Sequence, residues 1–449
     1  MQKSFDVVVI GTGEAGSSAA LACRAADQSV AVVDELPYGG TCGLRGCDPK
    51  KVLVGAAEII DRRRRMEGRG IAGDIRIEWP ELIRFKSTFT DPFPSAREQG
   101  FAKAGVENFH GVARFTGPQE VQVDGDTLEA THVIVAVGAW PADLHIPGES
   151  NLTRSDEFLD LKELPRRIVF VGGGYVAFEF GHIAARAGAD VTILHRGARP
   201  LEHFDEDLVA RLVDRSHEVG IDIRTGATVV AIDGTPGNLK VTAEIGSDRV
   251  EFDADMAVHA AGRLPQMDNL DLPAASVQFD RHGIAVNGHL QSVSNPAVYA
   301  AGDAANSGTL PDTPYAQYEG ELAAHNVIDG NKHTVEHSGM ASVVYSTPPL
   351  GVAGMTEGQA RSKGLSFDIK QGDTSGWYSA RRVAESASMF KVLIEKGTGK
   401  ILGAHVLGPE ADEFINVFAL AIQADVRADA LKQIKFVYPT QASNTAFMV

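Results

Sequence analysis

The sequence predicts an α/β protein in which two copies of a strand, a glycine-rich turn and a helix precede a separate α+β region. Three observations support this fold class. The chain has 449 residues, 44% of them hydrophobic, which is too long for one ordinary domain core. Short β-branched runs lead directly into glycine turns at residues 11–16 and 172–177. After about Asn331 the pattern changes to alternating strand segments around a helical segment, residues 410–424.

The first unit begins with a β-branched run, residues 6–10, that predicts a buried strand. A glycine turn and an alanine-rich helix to about Ala26 follow, and the next strand, residues 29–33, ends at an acid. Glycines let the backbone approach a pyrophosphate at the helix N-terminus, and an acid about 20 residues further on suits a ribose hydroxyl. The pattern predicts a dinucleotide site formed by Gly11, Gly13, Gly16 and Asp34.

The second unit repeats this pattern, with a strand at residues 168–171, a turn of three glycines and a helix to about Ala187. Its last strand ends in cations where an NAD site carries an acid, which favours the 2′-phosphate of NADP over NAD. A solvated basic turn is the alternative, because Glu202 and the acidic residues 205–207 follow. The candidate residues for this nucleotide are Gly172, Gly174, Ala177, His195, Arg196 and Arg199.

A close cysteine pair lies just after the first unit, where residues 39–51 read GGTCGLRGCDPKK. If a helix begins or continues around Lys50, Cys42 and Cys47 can face one another across its first turns, near the dipole end that favours a thiolate. Such a pair predicts reversible thiol–disulfide chemistry. A metal site and inert structural cysteines are the alternatives, but only Cys23, which we expect in the core, remains as a further thiol ligand.

The charge balance excludes several classes of partner. A formal net charge of -17 gives no basic surface for nucleic acid or acidic membranes, and the run Arg62, Arg63, Arg64 and Arg65 is predicted to be a solvated helix face. No stretch reaches the length of about 20 apolar residues that a membrane span needs. The N-terminus lacks signal-peptide features, and an odd count of three cysteines fits a reducing compartment. We therefore expect a cytoplasmic protein.

These motifs, together with AVGAWP at 136–141, GRLP at 262–265 and YAAGD at 299–303, resemble the class I pyridine nucleotide-disulfide oxidoreductases. That family includes glutathione reductase, dihydrolipoyl dehydrogenase and mercuric reductase, and the resemblance covers essentially the whole chain. It implies an FAD domain (residues 1–142 and 268–332), an NAD(P) domain (143–267) and a dimerisation domain (333–449). It also implies a homodimer whose active sites are shared across the subunits.

The resemblance also implies roles for single residues. The glycines of the first turn and Asp34 hold the ADP half of FAD, and Asp303 binds toward its ribityl and pyrophosphate groups. Cys47 would lie against the flavin, and Cys42 would exchange with the substrate. Tyr175 matches the aromatic gate that the nicotinamide displaces. The resemblance implies three further pairs of site residues: Gly40 and Thr41, Gly138 and Gly262, and the ion pair Lys50 and Glu179 beside the flavin.

The sequence departs from the family at its C-terminal segment, where a histidine and an acid normally act on the thiol pair. Here Tyr438 and Ser443 take those two positions. A phenol with a usual pKa of about 10 is a poor base near pH 7 but can donate a hydrogen bond. The positions of the family's glutathione-binding arginines hold Leu21 and Glu321, and Glu14 replaces a small residue nearby. These acids would repel an anionic substrate, unless they are merely solvated helix residues.

We therefore predict an NADPH-dependent flavoprotein that reduces a small disulfide other than glutathione, with Tyr438 of the partner subunit polarising the leaving sulfur. A reductase of a metal ion, a quinone or an oxidant is the main alternative, because such acceptors need no imidazole base. A non-catalytic flavoprotein sensor or scaffold is the third possibility, which the intact cysteine pair argues against.

Overall fold

The structure, a computed structural model, describes all residues from Met1 to Val449. Its strands are β1 (Gln2–Ile10), β2 (Val30–Asp34), β3 (Glu107–His110), β4 (Ala113–Gly117), β5 (Glu120–Val123), β6 (Asp126–Val135), β7 (Ala139–Pro141), β8 (Leu152–Thr153), β9 (Arg167–Val171), β10 (Asp190–His195), β11 (Ile221–Thr225), β12 (Ala227–Thr235), β13 (Asn238–Ile245), β14 (Asp248–Ala254), β15 (Met256–His259), β16 (Arg263–Pro265), β17 (Phe279–Asp280), β18 (Gly283–Ala285), β19 (Val298–Ala300), β20 (Ala305–Asn306), β21 (Ala341–Val344), β22 (Leu350–Gly354), β23 (Phe367–Asp373), β24 (Met389–Glu395) and β25 (Ile401–Leu407).

The α-helices are α1 (Glu14–Ala25), α2 (Gly40–Arg45), α3 (Cys47–Arg65), α4 (Trp79–Thr90), α5 (Phe93–Ala104), α6 (Ser155–Leu159), α7 (Tyr175–Arg186), α8 (Glu206–Glu218), α9 (Thr313–Asp329), α10 (Glu357–Ser362), α11 (Tyr378–Arg381), α12 (Ala411–Gln423), α13 (Ala428–Gln433) and α14 (Thr445–Met448). Short 3-10 turns cover Glu149–Asn151, Leu272–Ala275, Gly302–Ala304 and Ala442–Asn444.

The chain packs into two compact units, each built from three separate stretches. Unit 1 consists of Met1–Lys50, Arg84–Ala142 and Gly262–Glu336. Unit 2 consists of Lys51–Ile83, Asp143–Ala261 and His337–Val449.

Unit 1 is organised around a seven-stranded sheet in the order β3-β2-β1-β6-β5-β4, with β19 paired to β6. β1 pairs in parallel with both β2 and β6. Its residues Val7, Val8 and Val9 have no exposed surface, as a central parallel strand that is covered on both faces requires. The continuous β-branched run that predicts a buried strand is therefore explained by burial on both faces of the sheet.

Unit 2 contains three sheets. The parallel sheet β11-β10-β9-β15-β8 has the arrangement predicted from the second glycine turn, and β12-β13-β14 form a small antiparallel sheet. The third sheet, in the order β21-β22-β25-β24-β23, is antiparallel. The apolar face of α12, including Phe414 and Phe418, packs into one buried cluster with Val392 and Val406 of this sheet.

The predicted α/β fold class is confirmed, since a mixed, mainly parallel sheet and a fully parallel sheet, each with a glycine turn, are present beside an antiparallel sheet. The structure differs from the sequence prediction at the arginine run. Arg65 is largely buried, and its Nε lies 2.7 Å from Oδ2 of the buried Asp61, so this arginine is not part of a solvated face. No helix combines the length and the apolar character needed to cross a bilayer.

Candidate active site

The first glycine turn joins β1 to α1 in unit 1. Gly11 has a φ of 105°, and a Cβ there would collide with the carbonyl oxygen of Ala136. A Cβ at Gly16 would collide with the carbonyl oxygen of Gly11. Gly13 differs, because its added Cβ would meet only Gly40 Cα, at 3.7 Å, and no side chain caps the helix that it precedes. Two glycines thus allow the turn to close, and the third leaves open space at a helix N-terminus that suits a phosphate.

Asp34, at the end of β2, is held beside this turn. Its Oδ2 accepts hydrogen bonds from the backbone N–H and the hydroxyl of Thr12, at 2.8 Å and 2.6 Å. Its Oδ1 accepts a third from the N–H of Leu36, at 3.0 Å. The structure therefore brings the predicted ribose-binding acid to the first glycine turn.

The remaining residues predicted to bind FAD also lie in unit 1. Gly40 begins α2 with a φ of 67° and packs against Gly13, and Thr41 follows it, partly exposed. Gly138 and Gly262 flank the antiparallel pair β7 and β16, and both have positive φ with open space where a Cβ would be.

Asp303 lies in the 3-10 turn Gly302–Ala304. Burial raises the pKa of its carboxyl, and the charge of Arg263 acts in the opposite direction. A carboxylate that is shielded from water and lies near a cation can accept hydrogen bonds from a polar ligand.

The second glycine turn, in unit 2, repeats the geometry of the first. Gly172 has a φ of 111°, and a Cβ there would collide with the carbonyl oxygen of Ala260. Gly174 precedes α7, which has no side-chain cap at its N-terminus. Ala177 is fully buried within the helix, whereas the Tyr175 ring is half-exposed at its start. This turn offers the same uncapped helix end to a second dinucleotide.

The basic segment after β10 separates into two kinds of residue. Arg199 donates to the carbonyl oxygens of Phe204 and Glu202, both at 3.0 Å, so its guanidinium braces the segment. The Nε2 of His195 lies 2.8 Å from the carbonyl oxygen of Arg199. Arg196 is exposed. Of the three predicted cations, Arg196 is the one that the segment leaves at the surface.

The cysteine pair lies at a break between two helices, not within one helix as the sequence suggests. Cys42 belongs to α2, Gly46 interrupts the helix with a φ of -146° and a ψ of -105°, and Cys47 begins α3. Both cysteines are free thiols that share a hydrogen bond. The Sγ of Cys47 also lies 3.3 Å from the hydroxyl oxygen of Thr313, which is 266 residues away in sequence.

The two thiols have opposite acidities. The hydrogen bond from Cys42 lowers the pKa of Cys47 most, and the hydrogen bond of Thr313 and the charge of Lys50 lower it further. The pKa of Cys47 falls to about 7, although burial acts in the opposite direction. The hydrogen bond to Cys47, burial and the charge of the Cys47 thiolate raise the pKa of Cys42. Near neutral pH Cys47 is therefore the thiol of the reduced pair that ionises, while Cys42 keeps its proton.

Helix α5 packs directly on the redox segment. The side chain of Phe93 lies where a Cβ at Gly39 or Gly43 would be, at 2.7 Å from each. The Arg97 guanidinium stacks 5.1 Å from the Phe93 ring centre, and its Nη2 lies 3.0 Å from Oε1 of Glu14. Glu14 is thus neither an isolated acid nor a solvated residue. No local pattern in the sequence indicates this partner, because the two residues are 83 positions apart.

Lys50 and Glu179, predicted to form an ion pair, are both buried, with 7% and 3% of their surface exposed. Lys50 belongs to unit 1 and Glu179 to unit 2. Within unit 2, the N–H of Tyr345 donates to Oε1 of Glu179 at 2.9 Å. The ion pair itself stays a prediction.

The residues that replace the family's histidine and acid are placed differently from one another. The Tyr438 side chain is 76% exposed, and its ring centre lies 6.5 Å from that of Tyr378. Ser443 is bonded locally, since its hydroxyl donates to the carbonyl oxygen of Thr440 at 2.6 Å. Tyr438 is therefore available at the surface of its own subunit, whereas the Ser443 hydroxyl is engaged in a turn. No group of three or more His, Cys, Asp or Glu side chains is placed to hold a metal ion.

Two glycine turns with uncapped helix ends lie in a chain that also carries a pair of thiols with different pKa values. This combination is typical of an oxidoreductase that couples dinucleotides to thiol–disulfide chemistry. Residues 5–320 match the family described as pyridine nucleotide-disulphide oxidoreductase, and residues 340–447 match the dimerisation domain of that family. The chain belongs to the pyridine nucleotide-disulphide oxidoreductases. Its family, predicted from the motifs, is confirmed.

Among its relatives, glutathione reductase of Burkholderia cepacia is 34% identical over 444 residues, 98% of each chain. Dihydrolipoyl dehydrogenase of Bacillus subtilis (strain 168) is 30% identical, over 97% of this chain and 95% of the relative. A solved structure, the HOCl-induced flavoprotein disulfide reductase RclA from Escherichia coli, superposes with a TM-score of 0.88 at 24% identity and 99% coverage of both chains. That likeness establishes the fold.

The protein is accordingly an oxidoreductase of the flavoprotein disulfide reductase family, which binds FAD and uses NAD(P).

Proposed function

We propose that this protein is an NADPH-dependent reductase that delivers electrons through Cys42 and Cys47 to a small disulfide other than glutathione. The observation that carries the proposal is the pairing of a stabilised thiolate, Cys47, with a neighbouring neutral thiol, Cys42. A pair of this kind can be oxidised to a disulfide and reduced again without separating its two sulfurs.

The residues of unit 1 fit FAD. The open space at Gly13 and the uncapped N-terminus of α1 suit its pyrophosphate, and Asp34, beside the turn, suits its ribose. Gly40, Thr41, Gly138, Gly262 and Asp303 complete the proposed site. Bound FAD supplies the two-electron link between the nicotinamide and the cysteine disulfide.

The residues of unit 2 fit a nicotinamide dinucleotide, with Gly172 and Gly174 at its pyrophosphate, Ala177 in the helix behind the turn, and Tyr175 as the gate. We assign NADP as the nucleotide because exposed Arg196 occupies the place of the acid that an NAD site carries. His195 and Arg199 support that segment through their contacts with its backbone.

The thiols would then act in two steps on an acceptor R–S–S–R′. Cys42 Sγ loses its proton and attacks one acceptor sulfur, so that a mixed disulfide forms and R′–S⁻ leaves. The Cys47 thiolate attacks Cys42 Sγ, the cysteine disulfide closes, and R–S⁻ leaves. One of the two leaving thiolates takes up the proton that Cys42 held. Lys50, and Glu179 as its proposed partner, would keep charge beside Cys47.

We further propose a homodimer, with domains at residues 1–142 and 268–332, 143–267 and 333–449, in which the partner's Tyr438 completes each active site. The match of residues 340–447 to the dimerisation domain supports this assembly. Three cysteines that are all free thiols fit a reducing compartment such as the cytoplasm.

A second candidate function is the reduction of a metal ion, a quinone or another oxidant. The observation that favours it is the identity of Tyr438 and Ser443, which supply no base for disulfide exchange. Such acceptors take electrons without leaving a thiolate that must be protonated.

The test is anaerobic reduction of the FAD-loaded protein with NADPH, followed by stopped-flow mixing with bis(2-hydroxyethyl) disulfide or with a soluble naphthoquinone. We expect the neutral disulfide to reoxidise the wild-type protein and to leave the Cys42→Ser variant reduced. Reoxidation by the quinone alone would establish the second candidate instead.

A further inference from the structure

The segment that follows β21 is hydrogen-bonded along the buried side of α7, within unit 2. The N–H of Tyr345 donates to Oε1 of Glu179 at 2.9 Å, and the N–H of Thr347 donates to Nδ1 of His182 at 3.1 Å. The carbonyl oxygen of Thr347 accepts a hydrogen bond from Nη2 of Arg186 at 3.0 Å. Three side chains on one face of α7 therefore hold this segment in place.

Glu179 in turn depends on this segment. Its side chain is only 3% exposed, so water has little access to replace a lost hydrogen-bond partner. A hydrogen bond from a backbone N–H to a carboxylate is charge-assisted, and it fixes the direction in which the carboxylate points. A shift of the Tyr345 backbone would therefore displace the Glu179 carboxylate or remove one of its donors.

The ring of Tyr345 is contacted by Lys51 of α3, which also belongs to unit 2. The Nζ of Lys51 lies 4.1 Å from the ring centre, within the range of a cation–π contact. The same Nζ lies 2.8 Å from Oδ2 of Asp412, in the first turn of α12. The Lys51 side chain is 43% exposed, and an ion pair with that exposure contributes little to stability. Its contact with Tyr345, however, reaches the residue that holds Glu179.

We propose that Lys51 is a positioning residue for Glu179, on which it acts through the ring and backbone of Tyr345. The inference rests on the proposed function, in which Glu179 is the partner of Lys50 beside the FAD. While the Tyr345 ring is held, its N–H keeps the Glu179 carboxylate in one orientation. Without that contact the carboxylate would sample several orientations, and hydride transfer from NADPH to the bound FAD would become slower.

The experiment compares wild type with Lys51→Met, which keeps most of the side-chain length but removes the cation. The first measurement is hydrogen–deuterium exchange at the Tyr345 amide in the FAD-loaded protein without nucleotide, resolved by mass spectrometry. The second is stopped-flow reduction of the FAD over a range of NADPH concentrations. We expect amide exchange to become at least about 3-fold faster and the limiting rate of reduction to become about 5-fold slower, as loss of one cation–π contact allows. The Kd for NADPH should stay within about 2-fold, a separation that general destabilisation would not produce.

Three further variants separate the Tyr345 contact from the charge and the ion pair of Lys51. Lys51→Arg keeps a cation over the ring, and Asp412→Asn removes only the ion pair. Both should reduce FAD within about 2-fold of the wild-type rate. Tyr345→Leu removes the ring without changing any charge and should reproduce the effects of Lys51→Met. Adding Lys51→Met to Tyr345→Leu should then have no further effect, because both changes remove the same contact.

Additive effects of Lys51→Met and Tyr345→Leu would show that the two side chains act independently, which overturns the proposal. Slowing by Asp412→Asn as large as that by Lys51→Met would also overturn it, because the ion pair with α12 would then be the cause.

Glu179→Gln tests the proposed function separately. If this variant reduces FAD as fast as wild type, the proposed role of Glu179 is wrong, and Lys51 has no functional group to position. If Glu179→Gln slows the reduction of FAD but Lys51→Met does not, only the positioning role of Lys51 is refuted.

Discussion

At the residue scale, the preference for NADPH over NADH depends on which cation is available to contact the 2′-phosphate on the ribose. Arg199 is occupied by two carbonyl oxygens, whereas Arg196 is exposed. A charge-assisted contact to a phosphate contributes about 1.5–3 kcal/mol. The preference for NADPH over NADH should therefore depend mainly on Arg196, one of the three cations that the sequence predicts at this site.

We expect Arg196→Glu to raise the KM for NADPH at least about 10-fold more than the KM for NADH, since a carboxylate repels the 2′-phosphate. Steady-state kinetics with both nucleotides measure this. Arg199→Ala is the matched control, because loss of its two hydrogen bonds to backbone carbonyl oxygens should weaken the binding of both nucleotides alike. Equal effects of Arg196→Glu on the two nucleotides would contradict the assignment of NADP.

The acidity of Cys47 depends first on Cys42, whose hydrogen bond is the largest contribution to its lowered pKa. Cys42→Ser keeps a hydrogen-bond donor, and Cys42→Ala removes it. The Cys47 thiolate should give an absorbance band against the bound FAD, and this band reports the ionisation of Cys47. We expect the band to titrate near pH 7 in Cys42→Ser and at higher pH in Cys42→Ala. Coincident titrations would show that Thr313 and Lys50 alone set the acidity of Cys47.

At the element scale, the short helix α2 is held against α5 by glycines that accept an aromatic ring. A Cβ at Gly43 would lie 2.7 Å from the Phe93 side chain, a distance that real Cβ atoms do not adopt. Overpacking of this kind costs about 1–3 kcal/mol. We expect Gly43→Ala to lower the temperature of thermal unfolding and to slow disulfide reduction, and Gly43→Ala with Phe93→Leu to recover part of both.

A control for this prediction lies in α5 itself. Gly100 has no atom within 4 Å of an added Cβ and lies inside the helix. Gly100→Ala should therefore raise stability by up to about 1 kcal/mol. Equal destabilisation by both substitutions would show that the Phe93 contact is unimportant.

The elements that the sequence predicts well are those whose cause is local. The strands and helices around both glycine turns end within one residue of their predicted ends, because β-branched runs and glycine spacing determine them, although β1 begins four residues before its predicted start. The sequence does not predict the break at Gly46, since a single glycine in a helical pattern does not by itself indicate an interruption. The contacts of Thr313 with Cys47 and of Arg97 with Glu14 join distant parts of the chain, and no local pattern encodes them.

At the scale of the whole molecule, a buried charge network supports unit 2. Asp61 in α3 contacts Arg65 at 2.7 Å, Arg186 of α7 at 2.9 Å and Arg215 of α8 at 3.4 Å. Burial alone would raise the pKa of Asp61, but the three arginines overcome it and lower the pKa below its usual value. One carboxylate thus joins three helices.

We expect Asp61→Asn to destabilise the protein by about 3–5 kcal/mol at pH 7, because it leaves the buried Arg186 without a carboxylate partner. A carboxyl with a lowered folded-state pKa stabilises fully above its unfolded pKa of about 4 and loses that contribution as the pH falls further. The difference in unfolding temperature between wild type and variant should therefore shrink below pH 4. Asp74→Asn, which removes the fully exposed partner of Arg63, is the control and should change stability by less than about 0.5 kcal/mol.

The order in which the sheet of unit 1 is completed has a consequence for synthesis on the ribosome. The C-terminal half of β6 pairs with β19, whose residues Val298–Ala300 are made long after Val133–Val135. Until β19 is made, the apolar C-terminal part of β6 has one unpaired edge, which can pair with other chains. The stretch Asp143–Ala261, which belongs to unit 2, has to be translated during that interval. We therefore expect this protein to depend on chaperones during translation, more than a protein whose domains are contiguous in sequence.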